Sequence, residues 1–192
     1  EGTAGGQAED QGCDCVRFSM LETIREYGRE QLAAAGETEQ TQRRHALYYL
    51  QFAEGAAEHL QGPDQLRWLQ RLDGELPNLR GALAWQPPAG AEQGAADDLL
   101  EDKLRVAGKL FLYWHLRGRY TEAITWLNAL LALPGADAPT AGRAFALAAA
   151  AALKASTGDN TTVYAQGNEA LAIARRLDDP RTLANALHIL GT

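Results

Sequence analysis

The sequence predicts an all-α protein, a solenoid of helix–turn–helix units, and two observations carry that expectation. First, Gly118, in Leu116-Arg117-Gly118-Arg119-Tyr120, and Gly158, in Thr157-Gly158-Asp159-Asn160, each separate two segments of helical apolar period, and they stand 40 positions apart. Second, the same offset carries Asn128-Ala129-Leu130-Leu131-Ala132-Leu133 onto Asn168-Glu169-Ala170-Leu171-Ala172-Ile173. It also carries Leu104 and Ala107 onto Ala144 and Leu147, and one further step lands on Ala184 and Leu187, so a third unit opens near Thr182. Helix pairs repeated at such a spacing stack so that each covers its neighbour's apolar face. Arrays of this kind present surfaces for binding and rarely carry out reactions.

Along the chain, residues 1–14 are rich in Gly, Ala and acids with no base among them, which reads as a loop or disordered lead-in. Val16 to Met20 alternates as a short strand. With no suitable partner in this chain, such a strand is poorly stable, so this end is expected to be loose. Leu21 to Ala35 reads as a helix with Leu21, Ile24, Gly28 and Leu32 on one stripe, stopped by Gly36. A second helix is expected from Glu39 to Leu60, capped by Thr38, with Ala46, Leu50, Ala53, Ala57 and Leu60 inward. Gly62-Pro63-Asp64 opens a third, with Pro63 in its first turn and Leu66, Leu69 and Leu72 inward. Pro77 marks a further break, and Gln86 to Ala96, with Pro87-Pro88, reads as the clearest interior loop.

The repeats are expected from Asp97. Leu104, Ala107, Phe111 and Trp114 face inward on the first helix, and Pro134-Gly135 ends its partner. Pro139 to Ser156 is largely alanine, the best helix former and small enough for close helix contacts. Asp159 or Asn160 suits a helix cap, as does Asp179, with Pro180 at the first helical position after it.

A formal charge of -7 argues against a grip on nucleic-acid phosphates. Cys13 and Cys15 are one residue apart and read as free thiols of a reducing cytoplasm. No apolar run is long enough to span a membrane. Starting in a polar segment and stopping in a helix, the sequence reads as a fragment of a longer, cytoplasmic protein.

Three stretches carry a resemblance: Arg17-Phe18-Ser19-Met20-Leu21-Glu22-Thr23-Ile24-Arg25-Glu26-Tyr27; Gly62-Pro63-Asp64-Gln65 with Arg67-Trp68-Leu69; and Asn78-Leu79-Arg80 with Ala82-Leu83-Ala84-Trp85. Beyond residue 16 the chain resembles bacterial transcriptional regulators of the signal-transducing ATPase class (STAND, NB-ARC-type). The resemblance implies that the first stretch closes a winged-helix domain behind a nucleotide-binding module. Tetratricopeptide-like helix pairs would follow as a sensor or docking arm. The expected organisation is a lead-in and winged-helix remnant at 1–36, a helical linker at 37–96, and truncated tetratricopeptide-like repeats at 97–192. The period of about forty departs from the usual thirty-four. Leu104, Leu110 and Phe111 of the first unit become Ala144, Ala150 and Ala151 in the second, so groove shape does not transfer from the family.

No Gly-x-x-x-x-Gly-Lys-Ser/Thr, His-Glu-x-x-His or Gly-x-Ser-x-Gly occurs, so no catalytic residue, cofactor site or metal site is expected, and any ATP site lies upstream. Asp97-Asp98, Glu101-Asp102 and Asp178-Asp179 read as acidic helix starts. Trp68, Trp85, Trp114 and Trp126 read as packing residues. Arg25 and Arg29, interleaved with Glu22, Glu26 and Glu30, read as intrahelical pairs rather than DNA contacts. The candidate partner-binding residues are Arg105, His115, Arg117 and Arg119 around the first unit, with His188 in the third. A solvated, salt-bridged helix end is the simpler reading of the arginines; a face for an acidic partner is the sharper one. The expected function is a sensor or protein-interaction arm of an ATP-dependent regulator. It would take a protein partner or small effector and act on the upstream ATPase domain, with no nucleic acid or membrane bound by this segment. The alternative is a scaffold array without switching.

Overall fold

Left-handed glycines set the turns. In the computed structural model, which describes residues 20–88, 90 and 93–191, Gly36, Gly118 and Gly158 take φ of +71°, +63° and +82°. Each closes a helix with the same two bonds. At Gly118 these are Arg119 N–H to the Trp114 carbonyl at 2.9 Å and Gly118 N–H to His115 at 3.1 Å. At Gly158 they are Asp159 to Lys154 at 3.1 Å and Gly158 to Ala155 at 3.1 Å. Only glycine enters that backbone region without crowding its Cβ, which is why this residue recurs at the repeat spacing.

All regular structure among the described residues is helical: α1 (Glu22–Ala34), α2 (Thr38–Glu58), α3 (Gln65–Ala84), α4 (Gln93–Lys109), α5 (Phe111–Leu116), α6 (Tyr120–Leu131), α7 (Ala141–Thr157), α8 (Val163–Arg176) and α9 (Pro180–Gly191). The chain divides into one unit up to Thr38 and another from Glu39. In the first, α1 carries an ion pair between Arg25 and Glu22 at 2.6 Å, with Arg29 at 3.8 Å from the same carboxylate.

In the second unit, α4 packs along α7 and α7 along α9, while α6 touches both α4 and α7, and α8 both α7 and α9. This is the arrangement of stacked hairpins. One apolar core runs through it from Ala46 to Ile189. The stretch 37–96 contributes a hairpin of its own. Asn78 of α3 donates to the Tyr49 hydroxyl of α2 at 2.9 Å, and the Trp85 indole N–H donates to Gln42 at 3.1 Å. The first helices of successive hairpins are thus α2, α4 with α5, α7 and α9.

The α4–α7 contact is made by glycines. A Cβ on Gly108 would stand 2.5 Å from the Phe145 carbonyl carbon, and one on Gly142 would stand 2.6 Å from the Glu101 carbonyl oxygen. The pairs 101–142 and 108–145 advance together, so the two helices run parallel. Glu101 Oε1 also accepts from Gly142 N–H at 2.7 Å, capping α7 from its neighbour, while Thr140 accepts from Arg143 N–H at 3.2 Å. The alanines 148–151 are all fully buried.

Several expectations are corrected. Pro77 lies inside α3 and breaks nothing. A proline there costs about 3 kcal/mol, but Leu72, Leu76, Leu79 and Leu83 are all buried on one continuous stripe that holds the helix together. Pro63 and Leu66 stand apart from their expected roles: α3 starts at Gln65, and Leu66 is exposed. Thr38 is the first residue of α2, not its cap, and its buried hydroxyl has no hydrogen-bond partner. The first repeat helix starts at Gln93, earlier than Asp97, and is interrupted at Leu110. Asp97-Asp98 and Glu101-Asp102 therefore sit within α4 rather than at its start. α8 starts at Val163; Asp159 instead organises the preceding loop, accepting from the Thr161 hydroxyl at 2.6 Å. Asp179 does cap α9, accepting from Arg181 N–H at 3.0 Å and Thr182 N–H at 3.2 Å, with Pro180 first in the helix. Trp114 is buried, and Trp68, Trp85 and Trp126 pack partly buried against the core. The strand at Val16–Met20 and the thiols Cys13 and Cys15 lie outside the described residues, Met20 excepted. No helix among the described residues is long and apolar enough to cross a membrane.

Lys103 is buried without an acid. Lys103 of α4 is 1% exposed and donates to the Trp85 carbonyl at the end of α3. Burial pushes its ammonium down to about 8.

Candidate functional site

The first helices α2, α4–α5, α7 and α9 surround a groove of about 390 Å³. Its floor is Phe111, Leu112, Phe145 and Ile189. Phe111 is there because α4 stops at Lys109 and the chain restarts as α5 at Phe111. The interruption faces the Gly108–Phe145 contact, so the backbone turns where α7 presses closest. Across the top, the Gln61 side-chain amide meets His188 Nε2 at 3.0 Å. That bond joins the turn after α2 to α9.

Beside the groove, Glu54 of α2 clamps α4. It accepts from Arg105 Nε at 3.0 Å and Nη2 at 3.3 Å, and from Lys109 Nζ at 2.7 Å. Arg105 also reaches Asp102 at 2.5 Å. Partial burial pushes the Glu54 carboxyl up, but the two cations outweigh it and hold it below the usual range. For Arg105, burial pulls down while the bonds to Glu54 and Asp102 pull harder upward, so its proton is held more tightly than usual. Lys109 Nζ also lies 5.9 Å from the centre of the Phe145 ring.

A second polar cluster surrounds the α5–α6 turn. Arg117 pairs with Asp73 of α3 at 2.6 Å, and the Tyr113 hydroxyl donates to the same carboxylate at 3.0 Å. Burial first, and then Asp73, raise the Tyr113 phenol well above its ordinary value. Arg119 approaches Glu122 at 3.5 Å, and Arg80 of α3 binds Glu122 in a two-pronged bond at 2.7 and 3.0 Å. That bond, partly offset by burial, keeps the Glu122 carboxyl low. His115 sits 5.7 Å from the rings of both Phe111 and Tyr120, and its buried Nδ1 has no hydrogen-bond partner.

The five sequence-selected residues therefore divide. Arg117, Arg119 and His115 gather at the α5–α6 turn, with both arginines in ion pairs. Arg105 is engaged by Glu54 and Asp102, and His188 stands at the groove. The groove residues Glu58, Gln61, Lys109, Asn185 and Arg181 were not singled out from sequence. Their signal lies in helical spacing: Glu54, Glu58 and Gln61 fall on one face of α2 and its following turn, and Arg181, Asn185 and His188 on one face of α9. Among the described residues, no cluster of three or more His, Cys, Asp or Glu could hold a metal ion.

Over 188 aligned residues, 93% of its length, the chain is 32% identical to proteins provisionally named HTH-type transcriptional regulators in Mycobacterium bovis and Mycobacterium tuberculosis. The alignment covers 20% of those proteins, so the chain spans about a fifth of the length of the curated relatives it matches. No family model and no solved structure matches it.

Proposed function

We propose that this segment is the tetratricopeptide-like arm of a bacterial ATP-dependent transcription regulator. It receives an effector or protein partner in the groove of its first helices and passes the event to an upstream ATPase. The observation that carries this reading is the match of nearly the whole chain to one fifth of proteins named HTH-type transcriptional regulators. The stretch around residues 17–27 is then the end of a winged-helix domain, and the protein works in the cytoplasm. A ligand preferring one arrangement of α2 against α9 shifts the array between states, and only that difference in affinity does work on the neighbouring domain.

The segment itself is a binding element and not an enzyme, and it does not grip DNA: Arg105, Arg117 and Arg119 are occupied by carboxylates of the array. Those same ion pairs favour a second reading, a rigid scaffold, since they tie α2 to α4 and α3 to α5 and its following turn. Hydrogen exchange of the full-length protein with and without bound nucleotide separates the two. Relay requires protection around α2, α5 and α9 to change when the ATPase is loaded; an unchanged pattern supports the scaffold. A full-length reading frame without an upstream phosphate-binding loop would remove the ATPase from the account.

A further inference from the structure

We infer that the groove between α2, α5, α7 and α9 is a site for a small zwitterion with an apolar body, of the class of a free aromatic or branched amino acid. The inference deepens the regulatory reading, on which it rests for biological meaning but not for chemistry.

Size comes first. About 390 Å³ lies within the range of small-molecule sites, roughly 300–1,000 Å³. The Gln61–His188 bond links the turn after α2 to α9 at the edge of this space.

Charge comes second. Lys109 is spoken for by Glu54, and His188 by Gln61. Two ionic side chains at the groove remain without an ion-pair partner among the described residues: Glu58 on α2 and Arg181 on α9. Asp179 exerts a pull on Arg181 but does not pair with it, because its carboxylate is committed to Thr182 and the α9 backbone amides. The two groups are opposite in sign and stand on different helices. A ligand with one ammonium and one carboxylate answers both, and an anion or a cation alone leaves one charge unanswered.

The floor comes third. Phe111 and Phe145 are buried core residues with a face on the groove, joined by Leu112 and Ile189. That part of the lining suits an aromatic or branched side chain.

The test is titration calorimetry of the 192-residue chain with L-phenylalanine, L-leucine, 2-phenylethylamine and 3-phenylpropionate. Saturable one-to-one binding of an amino acid is expected, weakened about tenfold or more when either charged group of the ligand is missing, as for loss of a hydrogen bond to a charged group. Glu58→Gln and Arg181→Gln should each produce a similar loss. Both positions are exposed, so the unliganded melting temperature should stay unchanged, separating lost binding from lost folding. Glu58→Gln should leave affinity for 3-phenylpropionate unaltered. Failure of both amino acids to bind, or amine and acid analogues that bind as tightly as L-phenylalanine, overturns the inference. Binding without any transcriptional response in the full-length protein would instead count against the regulatory reading and leave the site standing.

Discussion

Gly108 of α4 lies against the Phe145 backbone of α7, leaving no room for even a methyl group between them. This contact and its counterpart at Gly142 hold two first helices parallel and close, and the interruption of α4 at Leu110 follows directly after it. The geometry of the groove floor therefore originates in two missing side chains.

Gly108→Ala is expected to destabilise the fold by about 1–3 kcal/mol, because the obstructing atoms are backbone and cannot rotate away. A methyl normally favours a helix over glycine by roughly 1 kcal/mol, so the prediction has the opposite sign to helix propensity. Gly94→Ala, with nothing within 4 Å of its Cβ position, is the control and should be neutral or stabilising. Urea denaturation of both variants decides it; a Gly108→Ala midpoint at or above the parent's would remove the close crossing.

Ala151→Leu is expected to cost about 1–3 kcal/mol by overpacking α7, since Ala151 is fully buried. The check is the melting temperature, and an unchanged value would place that face in solvent.

Lys103 predicts an alkaline effect of definite sign. Unfolded, its ammonium loses its proton near 10.5; folded, near 8. Between those values the unfolded chain binds more protons, so this group's penalty fades as pH rises and stability increases. Measured as the difference in unfolding free energy between the parent and Lys103→Met, the parent should gain on the variant from pH 8 to 10.5, by up to roughly 3 kcal/mol. A constant difference across that window would mean the amine is not held in a dry site.

Asp178 is the only described non-glycine residue with positive φ, at +52°, and it ends α8 where Gly118 and Gly158 end earlier helices. Asp178→Gly should relieve that crowding and stabilise the array by up to about 1 kcal/mol. A lower melting temperature for the variant would show that the aspartate contributes more than its backbone strain costs.

Much of the array was legible in the sequence because its turns are made by glycine and its seams by small apolar residues. Both leave local marks at a fixed spacing, as Gly118, Gly158 and the pair Asp179-Pro180 show. The hairpin of α2 and α3 escaped that spacing because the segment from Trp85 to α4 sets it out of register with the later units. Pro77 misled because burial of Leu76, Leu79 and Leu83 outweighs a local preference. The groove was harder to see. Arg105, Arg117 and Arg119 drew attention as a cluster of charge, yet each meets a carboxylate, two of them on distant helices: Glu54 and Asp73. Glu58 and Arg181 lie 123 positions apart, and only the closure of α2 upon α9 makes them neighbours of one cavity.

That closure is the centre of the account, and cross-linking measures it directly. In a Cys13→Ser, Cys15→Ser background, Gln61→Cys with His188→Cys should form an intramolecular disulfide readily under mild oxidation and keep the parent's helical content. An open array, with α9 carried away from α2, would leave both thiols free under the same conditions, and that result would contradict the groove.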